Sequence, residues 1–368
     1  ARARAVGWRL EVATMSACHA AALAAILLPV AAAQSPVPAR PAAAPAPVPN
    51  ARTAMDAALA WLVAHQDEDG GWSASQFMRH DSKHDLCTGV GKPDQDLHVT
   101  AWATMALLAS GNTAQQGPHR ECVAKAVDWL EARIGKDGFI GEPSAANATA
   151  AHAIATFSLS EGRALSESRA PAAPLRRLTE LRLANGTWPA RPGETAGDAA
   201  TTWWACWALL SGSEFGVQPF DLAPTIAFAD RHAGFLDPAA EALLRIFAHR
   251  DREHDAVLDR LCTGLGARLP SWPGAKGAPA ADFLTWQLAT CVMMQQGGDE
   301  SLDWEQALEA ALLPHQRTDG AHAGSWDPID RRGRECGRVY ATAVNALALS
   351  YRQRLLRVVQ PAAPGAPK

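Results

Sequence analysis

The chain has two tyrosines against thirteen tryptophans, no basic run, and no apolar stretch of the roughly 20 residues that a membrane-spanning helix needs. Each shortage removes a class of protein. Without clustered Lys and Arg, and with a formal charge of -4, there is no electrostatic footprint for nucleic acid. Charged residues reach only 20% while hydrophobic residues reach 48%, which excludes a disordered chain and suits a packed one. At 368 residues there is room for one large domain or two ordinary ones.

An apolar stretch from Ala20 to Val30 closes on Ala31, Ala32 and Ala33. A short apolar core ending in small residues is the layout of a secretory signal, here residues 1–33, with Met15 a candidate initiator. No cysteine directly follows that core, so a lipid anchor is not indicated, and no transmembrane anchor is expected after cleavage. Residues 34–50 are a Pro/Ala-rich spacer of extended backbone, and 360–368 have the same character. The expectation is an exported protein, periplasmic or secreted, with its folded part at 51–359.

Two kinds of segment alternate inside that part. Ala51 to His65, Cys122 to Ile134, Ala173 to Ala184 and Ser301 to His315 carry apolar residues at helical spacing with charges between them. Each runs into a turn where Asp or Asn meets Gly, as in QDEDGGW (66–72), the pairing that tolerates left-handed backbone and stops a helix. The second kind is apolar all round: Leu97 to Ala109, Thr149 to Ser160, Asp198 to Leu210, Asp282 to Met294 and Arg338 to Ser350. Such helices are buried on every side. Phe220 to His232, Ala239 to His249 and Arg252 to Leu265 add helices in the middle. A half-exposed helix paired with a buried one leaves a face open, and closing about six pairs into a ring covers it. The expected fold is all-α: a closed α/α toroid of about six helical hairpins, outer helices amphipathic and inner helices buried.

These segments resemble a known family. QDEDGGW (66–72) and GSWDP (324–328) are similar to the QW turns of squalene and hopene cyclases. AHAIATFSLSEG (151–162), DAATTWWACWALLSG (198–212) and GRVYATAVNALALSYR (337–352) resemble inner helices of exported bacterial proteins with prenyltransferase and squalene-oxidase repeats. The resemblance implies the toroid. It leaves the activity open, because one fold hosts many functions. Trp72, Trp188 and Trp326 are expected to be structural staples, each indole N–H satisfying a buried carbonyl.

Three chemistries are weighed on particular residues. The related cyclases use an acidic DxDD motif, whose nearest match here is Asp94-Gln95-Asp96-Leu97, without the final Asp. Asp94, Asp96 and Asp198 are the candidate acids, although Asp96, Asp198 and Asp282 also stand where inner helices begin and suit capping. Trp102, Trp203, Trp204, Trp207, Trp286, Tyr340 and His152 lie on inner helices and are candidates to line a ligand cavity, with core packing as the alternative. Protein prenyltransferases hold zinc with an Asp-x-Cys pair and a distant His, which Asp85, Cys87 and His152 resemble. Asp85 and Cys87 sit about ten residues before the inner helix rather than on it, so no zinc and no cofactor is expected.

Once Cys18 leaves with the signal, Cys87, Cys122, Cys206, Cys262, Cys291 and Cys336 remain, an even number that permits disulfides in an exported protein. Cys87 and Cys336 precede inner helices of the first and last repeats, and a closed ring makes them candidates for a bond. The function expected from all this is binding of an apolar small molecule or a protein partner. An isoprenoid cyclase or transferase is the alternative, and a carbohydrate-active barrel a third that needs paired carboxylates on one rim.

Overall fold

The protein was analysed as a computed structural model, which describes residues 50–167, 170–213, 217, 219–274 and 280–350. The expected signal at 1–33, the expected spacer up to Pro49 and the expected tail at 360–368 lie outside the described residues. Twelve α-helices and four short 3-10 turns form among the described residues, with only isolated bridges and no strand. No described helix is long and apolar enough to cross a membrane.

The helices alternate as their composition requires. The outer ones are α1 (Ala51–Ala64), α3 (Arg120–Glu131), α5 (Ala172–Glu180), α7 (Ala223–Arg231), α9 (Ala256–Gly266) and α11 (Gly298–Leu312). The inner ones are α2 (Asp96–Ala109), α4 (Ala148–Glu167), α6 (Ala199–Ser213), α8 (Pro238–Phe247), α10 (Phe283–Gln296) and α12 (Gly333–Leu349). On α3 the buried face is Cys122, Val123, Ala126, Val127, Trp129 and Leu130, while Glu121, Lys125 and Asp128 face water. On α2 every residue from Val99 to Ala109 is buried, as an inner helix flanked on all sides must be. The inner helices pack in order, α2 on α4, α4 on α6, α6 on α8, α8 on α10 and α10 on α12, and α12 returns to α2. The ring is closed, and the α/α toroid is the fold.

The turn that ends an outer helix repeats as a unit. Trp72 donates its indole N–H to the Leu62 carbonyl at 2.7 Å, and its backbone N–H bonds Thr100 Oγ1 on α2 at 2.9 Å. Trp188 does the same with Leu178 (2.6 Å) and Thr202 (3.0 Å), and Trp326 with Leu312 (2.9 Å) and Thr342 (3.4 Å). Each indole satisfies a carbonyl that the helix end leaves without an intrahelical partner. In the second repeat Phe139 stands at the turn, and His152 takes the threonine's place, its Nδ1 accepting the Ile140 N–H at 3.0 Å.

A second device links two of these turns to the next outer helix. Gln66 Nε2 reaches both the Gly70 carbonyl of its own turn and the Cys122 carbonyl of α3, each at 2.9 Å. Gln316 repeats this across the ring closure, on Gly324 at 2.8 Å and on Ala54 of α1 at 2.7 Å. Gly70 and Gly324 share left-handed backbone (φ +97° and +96°), and each lies against the neighbouring helix at Lys125 and Ala57. The last repeat therefore treats α1 as its successor. Backbone pairs Lys92 N–Glu335 O and Arg338 N–Gly89 O, both 2.7 Å, add to the seam, and the positive φ of Gly337 (+77°) kinks α12 where it meets Gly91.

Gly324→Ala places a Cβ into the Ala57 carbonyl on backbone that disfavours it, so a loss above about 2 kcal/mol is expected. Gly234→Ala has a similar φ of +82° with nothing within 4 Å, and should cost only about 1 kcal/mol. Equal losses for the two variants in urea denaturation would refute the closure contact.

Candidate functional site

Where α6, α8, α10 and α12 begin, their first residues surround a cavity of about 220 Å³. One wall is apolar: Ala199, Ala200, Trp203, Ala281, Leu284 and Leu288. The other carries Asp237, Asp282, Thr285, Asp330, Arg331 and Arg332. Helix starts leave N–H groups without partners, and carboxylates collect there to accept them. Asp237 caps α8 through the Ala239 and Ala240 N–H groups (2.9 and 3.3 Å), and Asp282 caps α10 through Thr285 N–H at 3.0 Å.

Asp330 differs from those caps. It is 3% exposed, and its carboxylate accepts the Gly333 N–H at 2.7 Å and the Phe283 N–H at 3.3 Å. Burial, helped by the nearby Asp282 charge, outweighs those two donors and pushes its carboxyl up to about 6. A carboxyl raised toward neutrality beside an apolar wall keeps a larger protonated fraction than an exposed one, which suits a proton donor.

The acids singled out from the sequence lie elsewhere. Asp94 is exposed on a 3-10 turn and accepts only from the adjacent Gln95 side chain at 3.1 Å. Asp96 is the first residue of α2, and its carboxylate holds the Ala74 N–H at 2.8 Å on a separate cavity of about 240 Å³ that also contains Arg79 and Arg133. Burial raises its pKa. Asp198 caps α6, taking the Thr201 N–H and Oγ1–H at 2.7 Å each. Asp237 and Asp330 escaped notice because each reads as an ordinary turn acid, Asp-Pro in one case and Asp before Arg-Arg-Gly in the other.

Of the aromatic candidates, Trp203 alone lines the cavity at the helix starts. Trp102 packs edge-on against Trp204 (5.3 Å) and Tyr340 (5.6 Å), and Trp207 stacks on Phe157 at 4.9 Å, so these rings fill space between inner helices. Trp286 packs edge-on against Phe283. His152 is buried and stacked on Phe139 at 4.4 Å, and burial lowers its pKa to about 3, so it is neutral. The hydroxyl of Tyr340, the indole N–H of Trp207 and both amide atoms of Asn345 are buried without partners among the described residues, unusual for polar atoms on helices this apolar.

Cys87, Asp85 and His152 are not brought together. Asp85 accepts the Ala321 N–H at 2.7 Å, while Cys87 lies beside His65 and Asp81. Cys87 and Cys336 both stand in the closing seam as free thiols with different acceptors, Ala321 O at 3.0 Å and Gln95 Oε1 at 3.4 Å.

The family profile of the squalene-hopene cyclase C-terminal domain matches residues 42–154. The squalene–hopene cyclase of Zymomonas mobilis subsp. mobilis is 32% identical over 91 residues, 25% of this chain and 12% of that enzyme, so the chain matches only a small part of its relative's length. The type II terpene cyclase MstE from Scytonema superimposes without ligand at TM-score 0.55 and 14% identity, covering 82% of this chain and 99% of that one. Its complex with geranylgeranyl dihydroxybenzoate gives TM-score 0.55 at 15% identity, covering 82% and 97%. These likenesses support a terpenoid-cyclase-like family, and the structural ones carry the fold alone.

Asp330 binds its proton more tightly folded than unfolded. Its contribution to stability is therefore full below about pH 4, the unfolded value, and is lost as pH rises through about 6. In paired denaturation curves, the wild type should lose about 3 kcal/mol across that window relative to Asp330→Asn. Parallel curves for the two proteins would mean that Asp330 titrates normally.

Proposed function

Starting from a terpenoid-cyclase-like toroid, we propose that this protein binds the end of an apolar, isoprenoid-like molecule in the cavity where the inner helices begin. The observation that carries the reading is the cavity's two-sided chemistry: Trp203, Leu284 and Leu288 against buried Asp330. Its volume of about 220 Å³ lies below the roughly 300–1,000 Å³ of pockets that enclose a whole ligand, which fits one end group of a longer chain. MstE was solved with geranylgeranyl dihydroxybenzoate, an isoprenoid chain on a polar ring, and an amphiphile of that kind matches an apolar wall facing carboxylates and arginines.

A second reading at the same site is cyclisation, favoured by the raised pKa of Asp330. Its O–H would protonate a terminal alkene: a C–H bond forms, the π bond breaks, and the cation on the neighbouring carbon faces the Trp203 ring. A later C–H bond then returns its proton to a base as the final alkene forms.

Titration of the purified protein with a fluorescent prenol tests the first reading. Trp203→Ala should weaken binding about tenfold, the scale of a lost aromatic wall, while Leu302→Ala at an exposed position leaves it unchanged. Undiminished binding in Trp203→Ala would move the ligand elsewhere. Cyclised products from linear polyprenes, absent with Asp330→Asn, would establish the second reading.

We also propose export by the segment at 1–33. Amino-terminal sequencing of the protein recovered from cells should begin at Gln34, and a cytosolic protein that keeps Ala20 to Val30 would refute export.

A further inference from the structure

The seam between first and last repeats contains a groove of about 800 Å³ lined by Trp61 and His65 of α1 and its cap, Asp81 and Asp85 of the following loop, and Arg317 and Ala321 of the last turn. At its inner edge stands the one group of three His, Cys, Asp or Glu residues, among the described residues, whose ligand atoms all lie within 4.8 Å of one another: His65, Asp81 and Cys87. The side chains of His65 and Asp81 are 5% and 4% exposed.

The hydrogen bonds fix how the imidazole is used. His65 Nδ1 lies 2.7 Å from the Trp61 carbonyl oxygen, which can only accept, so Nδ1 carries the hydrogen. The ring is held by stacking on Trp61 at 3.9 Å. Nε2 faces Asp81 Oδ1 at 2.9 Å and Cys87 Sγ at 3.9 Å. Asp81 is oriented in turn by the Cys87 backbone N–H on Oδ2 at 2.7 Å. An imidazole nitrogen opposed to a carboxylate in a buried site needs a cation between them, either a proton on Nε2 or a metal ion. A histidine whose second nitrogen donates to a backbone carbonyl is the arrangement that prepares Nε2 for a metal.

We infer that His65 Nε2, Asp81 Oδ1 and Cys87 Sγ form a site for a divalent cation of the zinc class, with a fourth ligand from the groove. One nitrogen, one carboxylate oxygen and one sulfur, with a position left open, is a donor set that zinc accepts. Tetrahedral zinc bonds of about 2.1 and 2.3 Å separate nitrogen from oxygen by about 3.4 Å and nitrogen from sulfur by about 3.6 Å. Asp81 recedes and Cys87 advances by about half an ångström or less to meet those spacings. The Cys87 thiol now donates to Ala321 O at 3.0 Å. On binding, its S–H proton passes to solvent and the freed sulfur pair enters the S–metal bond. These ligands differ from the Asp85, Cys87 and His152 set that the resemblance implied, and they reverse the expectation of no zinc. The site stands apart from the cavity proposed to hold the apolar chain, so either proposal can fail alone.

Elemental analysis of full-length protein, purified without chelator or a histidine tag and reconstituted with zinc, should find about one zinc per chain. Cobalt(II) in its place should give a thiolate-to-cobalt charge-transfer band in the near ultraviolet. Cys87→Ser should abolish that band and Asp81→Asn should weaken metal retention about tenfold, while Cys336→Ser keeps both. The wild-type spectrum decides the matter however the variants fold. A folded wild type that retains less than about a tenth of an equivalent and shows no charge-transfer band would mean that a proton alone bridges His65 and Asp81, and would overturn the site. A band that survives in folded Cys87→Ser would overturn it equally.

Discussion

The contact between the last turn and the first helix governs the rest of this molecule. Gln316 and Gly324 do to α1 what Gln66 and Gly70 do to α3, so closure uses the same two devices as an ordinary repeat junction. Nothing about the inner helices would be stable without it. α2 is apolar on all faces and α12 is buried on all sides beyond Gly337, and an open arrangement would leave each with one wall in water. The Trp72, Trp188 and Trp326 turns set the register in three of the hairpins, and the seam converts six hairpins into one core.

Closure also decides where polar chemistry can sit. Inside the ring, Trp102, Trp204, Trp207, Phe157 and Tyr340 occupy the space between helices. Several carboxylates gather at the starts of the inner helices, where unpaired N–H groups stabilise negative charge. Asp198, Asp237 and Asp282 are spent on that task. Asp330 receives two N–H groups as well, yet burial raises its carboxyl to about 6, so it takes up its proton at a higher pH than an ordinary carboxylate. A buried carboxyl with a raised pKa at an apolar wall is what sets Asp330 apart from the ring of caps.

The seam holds chemistry of a different kind. Ala321 O accepts from both the Trp61 indole and the Cys87 thiol, so the carbonyl that helps lock the ring also restrains a potential metal ligand. Trp61 in turn stacks on His65 and accepts its Nδ1–H. A cation bound by His65, Asp81 and Cys87 would therefore tie α1 to the loop that follows it, beside the junction on which the ring depends.

Much of the fold was legible in the sequence because helix burial is a local compositional fact. Segments apolar all round, such as Val99 to Ala109, have one stable place, and alternation with amphipathic partners implies two layers. The tryptophan turns were legible for the same reason: a Gly and a Trp at a helix end predict a carbonyl to be satisfied. The site was not. Asp330, Asp237 and Trp203 are far apart in the chain, and their meeting follows from the common end at which the inner helices start. His65 and Asp81 looked like a helix-end histidine and a loop acid, while Asp85 and His152 offered the better-spaced match to Cys87. Local order along the chain determined the helices, their pairing and their turns. Which side chains share a cavity or a lone-pair contact was decided only by ring closure, because hydrogen bonds and burial act over a few ångströms in space whatever the separation in sequence.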